Sequence, residues 1–279
     1  MRIRANSRTM PAMSHLITVL GLVALVLGQP AAPATDDAKL WAHYETWVAT
    51  LPALPPGERV PVADRYAAQL ATEGISKEEA ARRFERINVL RRASSAREAV
   101  YWNASFKSGG GPDAPLQLLQ EAVRHLKPGR AIEPGIGRGR NAIWLAGQGW
   151  DITGYDIAKD ALTATQAAAA KAGVKVTTLE GNHDTFDFGT AQWDMILCAY
   201  CFMQADDPRW PVAFARALKP GGIVVFQSSV LTRRSVAELA AIWKDFHILR
   251  AEDLDAGMEQ NDWAPSRTVP TARLVARKR

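Results

Sequence analysis

Nine residues constrain this chain more than any others: Ala131-Ile132-Glu133-Pro134-Gly135-Ile136-Gly137-Arg138-Gly139. A short apolar run ends in an acid, and three glycines follow at alternate positions. A helical pattern then begins, Arg140-Asn141-Ala142-Ile143-Trp144-Leu145-Ala146. That order predicts strand, tight turn, helix. Glycines let the backbone turn sharply and let a ligand approach where a Cβ would collide. The helix aims its first free N–H groups at the same spot, with roughly half a positive charge at that end.

From Pro115 onward, strands and helices alternate, which predicts a parallel sheet covered on both faces. A helix over Leu116–Leu126 leads into the first strand. The second strand, from Trp150 to Tyr155, ends at Asp156. An alanine-rich helix over Ala158–Ala172 and a strand over Val174–Leu179 follow. The run Trp193–Ala199 is apolar enough to be a central strand. After a helix at Asp207–Leu218, Lys219-Pro220-Gly221-Gly222 turns into the strand Ile223–Gln227. A helix at Ser235–Asp245 precedes two last strands, Phe246–Arg250 and Thr271–Lys278, expected as an antiparallel edge pair. The fold class expected is α/β: a doubly wound Rossmann-like sheet of seven strands, mostly parallel with an antiparallel edge strand. Asp156 lies about 20 residues past the glycine turn, where a carboxylate can accept both hydroxyls of a ribose.

Two cofactor classes use such a turn. Dinucleotide enzymes want a small residue at the sixth place of G-x-G-x-x-G. Arg140 stands there, so a nicotinamide oxidoreductase is the poorer fit. The spacing Glu133-x-Gly135-x-Gly137-x-Gly139 instead resembles the first motif of the class I methyltransferases, which bind S-adenosylmethionine. Leu218-Lys219-Pro220-Gly221-Gly222 resembles the post-helix motif of the same family. The helix Arg140–Ala146 and the ending Arg273–Lys278 look closest to the branch with tellurite-resistance and thiol-type small-molecule methyltransferases. Residues Ser76 to Phe106 resemble the helical leader of bacterial members with this core.

The resemblance implies a cofactor set of Glu133, Gly135, Gly137, Gly139, Asp156, Ile157, Asn182, His183 and Cys198. Glu133 would help hold the methionine part, and Asn182, or else Asp184, would face the adenine. His183 is a residue type suited to proton transfer near neutrality. Tyr200, Cys201 and Phe202 fall where substrate must come, at the carboxyl ends of the strands. His183 and Tyr200 are therefore the catalytic candidates, and Arg267 or Arg273 could hold an anionic acceptor. The activity implied is in-line methyl transfer to a small-molecule nucleophile. An exported binding protein that kept the fold and lost turnover is the alternative.

Composition bounds these readings. The chain has 279 residues, is 47% hydrophobic and carries a formal charge of +5. Residues 1–34 hold Arg2, Arg4 and Arg8 and no acid; the remaining 31 basic and 29 acidic residues leave +2, too balanced to point to nucleic acid. The apolar run from Leu16 to Leu27, followed by Ala31-Ala32-Pro33-Ala34, has the layout of a secretory signal peptide. It is short for a membrane span, which needs about 20 apolar residues. Residues 1–34 are thus expected to be a signal peptide or anchor, with the enzyme exported or membrane-anchored. If the segment does not act as a signal, the protein is cytoplasmic.

Residues 35–114 read as a helical extension before the domain at 115–279. Leu40, Trp41, Tyr44, Trp47, Val48 and Leu51 recur at helical spacing. Pro61 can start a second helix. Ser76 with Glu79 forms a capping box for a third. Its arginines, 82, 83, 86, 91 and 92, read as a solvated face. Tyr101, Trp102 and Phe106 close another helix and could wall a substrate pocket. Gly109-Gly110-Gly111-Pro112 then breaks the pattern and is a candidate lid. Cys198 and Cys201 cannot by themselves close a zinc site, and no metal set is expected. In an extended strand they would stand about 10 Å apart, so a disulfide needs a turn between them.

Overall fold

The computed structural model of the protein describes residues 36–55, 57–111, 113–201, 203, 205–229, 236–256 and 269–279. The segment 1–34, Phe202 and Arg267 lie outside these residues.

Four helices form the extension: α1 (Asp36–Thr50), α2 (Val62–Thr72), α3 (Lys77–Arg91) and α4 (Ser95–Lys107). The apolar spacing read from the sequence meets in one cluster of Trp41, Tyr44, Trp47, Tyr66, Leu70, Ile87 and Leu90. Tyr44 and Tyr66 cross edge to face at 5.2 Å, the arrangement that ring quadrupoles favour. Ser76 Oγ accepts from the Glu79 N–H at 3.3 Å. The Glu79 carboxylate reaches forward to Arg82 and Arg83, and not back to the cap.

One arginine departs from the expected solvated face. Arg91 is buried, donates to Glu98 Oε2 at 2.9 Å and lies 3.9 Å over the Tyr101 ring. The glycine run after α4 is folded down against its neighbours. Gly109 and Gly111 are buried, Gly110 N–H donates to the Ser105 carbonyl at 2.9 Å, and the Gly111 carbonyl accepts from Arg138.

The second part is a seven-stranded sheet with helices on both faces. Its strands are β1 (Arg130–Pro134), β2 (Asp151–Asp156), β3 (Thr177–Glu180), β4 (Trp193–Ala199), β5 (Leu218–Ser229), β6 (Phe246–Ala256) and β7 (Val269–Lys278), in spatial order β3-β2-β1-β4-β5-β7-β6. The first five are parallel, and β7 is antiparallel to both its neighbours. The antiparallel strand is therefore second from the edge, and β6 closes the sheet. Strand alternation divides the core. Ile132 of β1 and Ile196 of β4 face Phe214 and Trp243, on the side of α8 (Arg209–Ala217) and α9 (Val236–Ile242). Ala131, Met195 and Leu197 face Leu119 and Leu145, on the side of α5 (Gln117–Val123), α6 (Arg140–Gly147) and α7 (Lys159–Lys171).

Strand order reverses at β1, whose partners are β2 on one side and β4 on the other. Ligands of open α/β sheets bind in the crevice beyond the carboxyl ends at such a switch. The extension leans on the same end: Asn103 of α4 accepts from the Asp160 N–H at 3.1 Å, and Lys107 lies 3.5 Å from the Asp160 carboxylate.

Candidate cofactor and acceptor site

The turn between β1 and α6 is held from below by β2. Asp156 Oδ2 accepts from the Gly137 N–H and Oδ1 from the Ala158 N–H, each at 2.9 Å. The Ile157 N–H acts on the same carboxylate, and the side chain borders a cavity of about 440 Å³. Burial pushes the Asp156 carboxyl up, while the backbone N–H groups pull the other way. Two glycines are needed for geometry. Gly135 has φ +63°, and a Cβ there would stand 2.8 Å from Cys201 Cβ. Gly137 has φ +56°, and its Cβ would meet the Phe106 ring at 3.3 Å. Gly139 borders neither cavity; it precedes α6 and packs on Thr165.

A second cavity, of about 40 Å³, opens on the other side of the turn and shares Phe106, Gly135, Gly137 and Ala199 with the first. It is bordered by Glu133, Arg138, Arg140 and Asn141. Glu133 Oε1 accepts from Asn141 Nδ2 at 2.8 Å and the Ala142 N–H also acts on the carboxylate; its Oε2 is buried without a hydrogen-bond partner among the described residues. Arg138 Nε is buried and unpartnered too. One orphaned acceptor and one orphaned donor in one small cavity match a zwitterionic amino acid, whose ammonium and carboxylate would satisfy both. Burial pushes the Glu133 carboxyl up to about 8, against the pull of Asn141 and Arg140. The sequence reading missed Arg138; an arginine among motif glycines was its only signal.

Ile157, Asn182, His183, Tyr200 and Cys201 border the larger cavity. Asn182 caps its own loop, with Oδ1 accepting from the Asp184 N–H at 2.9 Å and Nδ2 donating to Ser95 Oγ of α4. Cys198 does not reach the cavity. It is fully buried on the α8 face, with its sulfur 3.7 Å from that of Met203. Strand alternation sends it inward, and the chain then turns at Tyr200, φ +56°, presenting Cys201 instead. That turn brings the two thiols together, and both are free.

The catalytic candidates are both tethered. His183 Nδ1 pairs with the Tyr155 hydroxyl at 2.9 Å, and the ring also bonds the Cys201 backbone. Burial holds its pKa down, so the ring is neutral at pH 7. It latches β2 to the segment after β4, with its ring engaged by Tyr155 and the Cys201 backbone. Replacing His183 by alanine should therefore slow methyl transfer less than the ~10²–10⁴-fold of a lost general base. The same change should lower thermal stability by about 1–3 kcal/mol, because the buried Tyr155 hydroxyl loses its partner. Single-turnover rates and melting curves check both. The Tyr200 hydroxyl accepts from Gln227 Nε2 at 2.8 Å, and Gln227 Oε1 accepts from Arg273 Nε at 3.1 Å. Arg273 is thus occupied in the sheet and does not border the cavity.

Helix α4 supplies the opposite wall. Trp102 and Phe106 line the cavity with ring centroids 6.2 Å apart, and Trp102 Nε1 donates to Glu98 Oε2 at 3.0 Å. Trp210 and Arg209 of α8 stand at the mouth, with Arg209 paired to Asp207 and Asp184.

A switch-point crevice with a glycine floor, a buried carboxylate beside it and a small polar niche has the shape and chemistry that suit an amino-acid-bearing nucleoside. Comparison with known proteins agrees. The family described as "Methyltransferase domain" matches residues 131–222. The ribosomal RNA small subunit methyltransferase C of Alcanivorax borkumensis is 32% identical over 135 residues, 46% of this chain and 41% of that protein. The ubiquinone biosynthesis O-methyltransferase of Erwinia tasmaniensis is 32% identical over 143 residues, 49% of this chain and 57% of that protein. The chain spans about half the length of these curated relatives. TehB from Haemophilus influenzae superposes with a TM-score of 0.53 at 18% identity, covering 63% of this chain and 65% of that one, which speaks for the fold. Residues 131–222 thus match a methyltransferase domain, and the fold around them is the one TehB shares.

Proposed function

We propose that the protein transfers the methyl group of S-adenosylmethionine to a small-molecule nucleophile. The observation that carries this reading is the pair of cavities that share Phe106, Gly135, Gly137 and Ala199. The smaller offers Glu133 Oε2 and Arg138 Nε to an amino acid, and the larger offers Asp156 to a ribose. When bound, the cofactor supplies a sulfonium methyl: its C–S bond breaks, the electron pair stays on sulfur as a neutral thioether, and an acceptor lone pair forms the new bond to carbon. The protein's part is positioning, which can contribute about 7–11 kcal/mol. Phe106 and Trp102 exclude water, and a dry wall favours a step in which positive charge disappears from sulfur.

A small acceptor is favoured by the roof that α4 lays over the crevice and by the near-balanced charge of residues 35–279. His183, Tyr200 and Glu98 are all engaged within the protein, which favours an acceptor that arrives anionic or with a free lone pair. The export reading of residues 1–34 stands as a proposal beside this one, and N-terminal sequencing of the native protein tests it.

Calorimetry with S-adenosylhomocysteine, followed by methyl-labelled cofactor and a panel of thiols, amines, phenols and carboxylates, tests the function. A labelled product is expected. Tight nucleoside binding with no product from any acceptor class would favour the binding-protein alternative, and no binding by folded protein would refute the cofactor.

A further inference from the structure

The larger cavity continues past the ribose carboxylate toward α3 and α4, and its far wall carries charge that the methyl-transfer reading does not use. The extension between residues 36 and 114 holds eight arginines. Seven of them are engaged. Arg59 pairs with Asp113, Arg65 donates to backbone carbonyls, and Arg82 and Arg83 grip Glu79. Arg86 pairs with Asp37, Arg91 with Glu98, and Arg97 lies over Trp41. The eighth, Arg92, has no ion-pair or hydrogen-bond partner among the described residues, and it borders the cavity. It caps the carboxyl end of α3 and its side chain is solvent-exposed.

The surroundings of Arg92 fit a planar guest. Trp102 borders the same wall, its indole fixed by the hydrogen bond to Glu98, which buried Arg91 holds in turn. That chain from Arg91 through Glu98 sets the ring plane without consuming Arg92. Across the mouth, Trp210 lies under Arg209 at 5.0 Å. The carboxylates of this wall are already matched: Glu98 by Arg91, and Asp184 and Asp207 by Arg209. Arg92 is left, among the described residues, as a cation without an ion-pair partner on the same cavity as Trp102, over whose ring Arg91 lies at 5.9 Å. A guanidinium presents a planar fork that suits a carboxylate bidentately.

We propose that the methyl acceptor is a planar aromatic molecule bearing a carboxylate, stacked on Trp102 with its carboxylate on Arg92. The inference rests on the methyl-transfer reading and names its acceptor. Arg92 is then a specificity-determining residue supplied by the extension, and the glycine-turn domain alone would not carry the selectivity.

The test uses full-length protein saturated with S-adenosylhomocysteine and titrated with 3,4-dihydroxybenzoate or with catechol, followed by tryptophan fluorescence and calorimetry. The carboxylated probe is expected to bind at least about tenfold more tightly than catechol. In Arg92→Gln that preference should vanish, with homocysteine-nucleoside affinity unchanged within about twofold; Arg92→Lys should keep part of it. Equal affinities of the two probes, absence of binding by both, or a preference that survives Arg92→Gln would overturn the proposal. Lack of S-adenosylhomocysteine binding would overturn the methyl-transfer reading itself, a result separate from the probe comparison.

Discussion

Replacing Asp156 by alanine should weaken S-adenosylhomocysteine binding at least about 100-fold, measured by calorimetry. Two losses combine. Asp156 borders the cavity and would accept the ribose hydroxyls there; a hydrogen bond to a charged group contributes about 1.5–3 kcal/mol, and each 1.4 kcal/mol is tenfold in affinity. The Asp156 oxygens also anchor the Gly137 and Ala158 N–H groups at 2.9 Å, so the glycine turn loses its clamp. Melting curves separate the two. A folded variant with near-native stability and intact affinity would show that the carboxylate serves the turn alone.

The Glu133→Gln variant should gain stability near neutral pH and lose cofactor affinity, roughly 10–100-fold if one charged hydrogen bond is removed. The pH window follows from the direction of the shift. Burial raises the folded-state pKa of Glu133 from 4.5 to about 8. A raised carboxyl favours the folded state fully below about 4.5, and that contribution is lost as pH climbs through about 8. The free protein should therefore melt progressively lower across this window, and the variant should show a flatter profile. One pKa unit is about 1.4 kcal/mol, so the cost of ionising Glu133 in the free protein amounts to several kcal/mol. A bound ammonium pairs with the ionised form, so cofactor binding should release a proton below pH 8 and tighten as pH rises toward 8. Calorimetry in buffers of different ionisation enthalpy reads that proton. A pH-independent affinity in the natural protein would sink the pairing of Glu133 with the cofactor's ammonium.

Which parts of this site were legible in the sequence follows from how local their causes are. The glycine turn, Asp156 at a strand end, and the helical spacing of the extension each rest on contacts within a few residues. Cys198 was misplaced because a motif resemblance does not register strand alternation, which turns this thiol inward; the turn at Tyr200 then presents Cys201. His183 looked free for proton transfer because its partner Tyr155 lies on another strand, 28 residues away. Arg91 read as solvated because its partners Glu98 and Tyr101 belong to the next helix.

By itself the sequence determined the α/β class, the parallel sheet and the glycine turn after the first strand, since alternation, helical period and glycine spacing are properties of neighbouring residues. Only the tertiary structure decided that β7 lies between β5 and β6, that α4 roofs the crevice, and that Arg138 and Glu133 share a niche. Those outcomes depend on which distant faces find each other and exclude water, and a side chain's remaining valence is known only after its partners are.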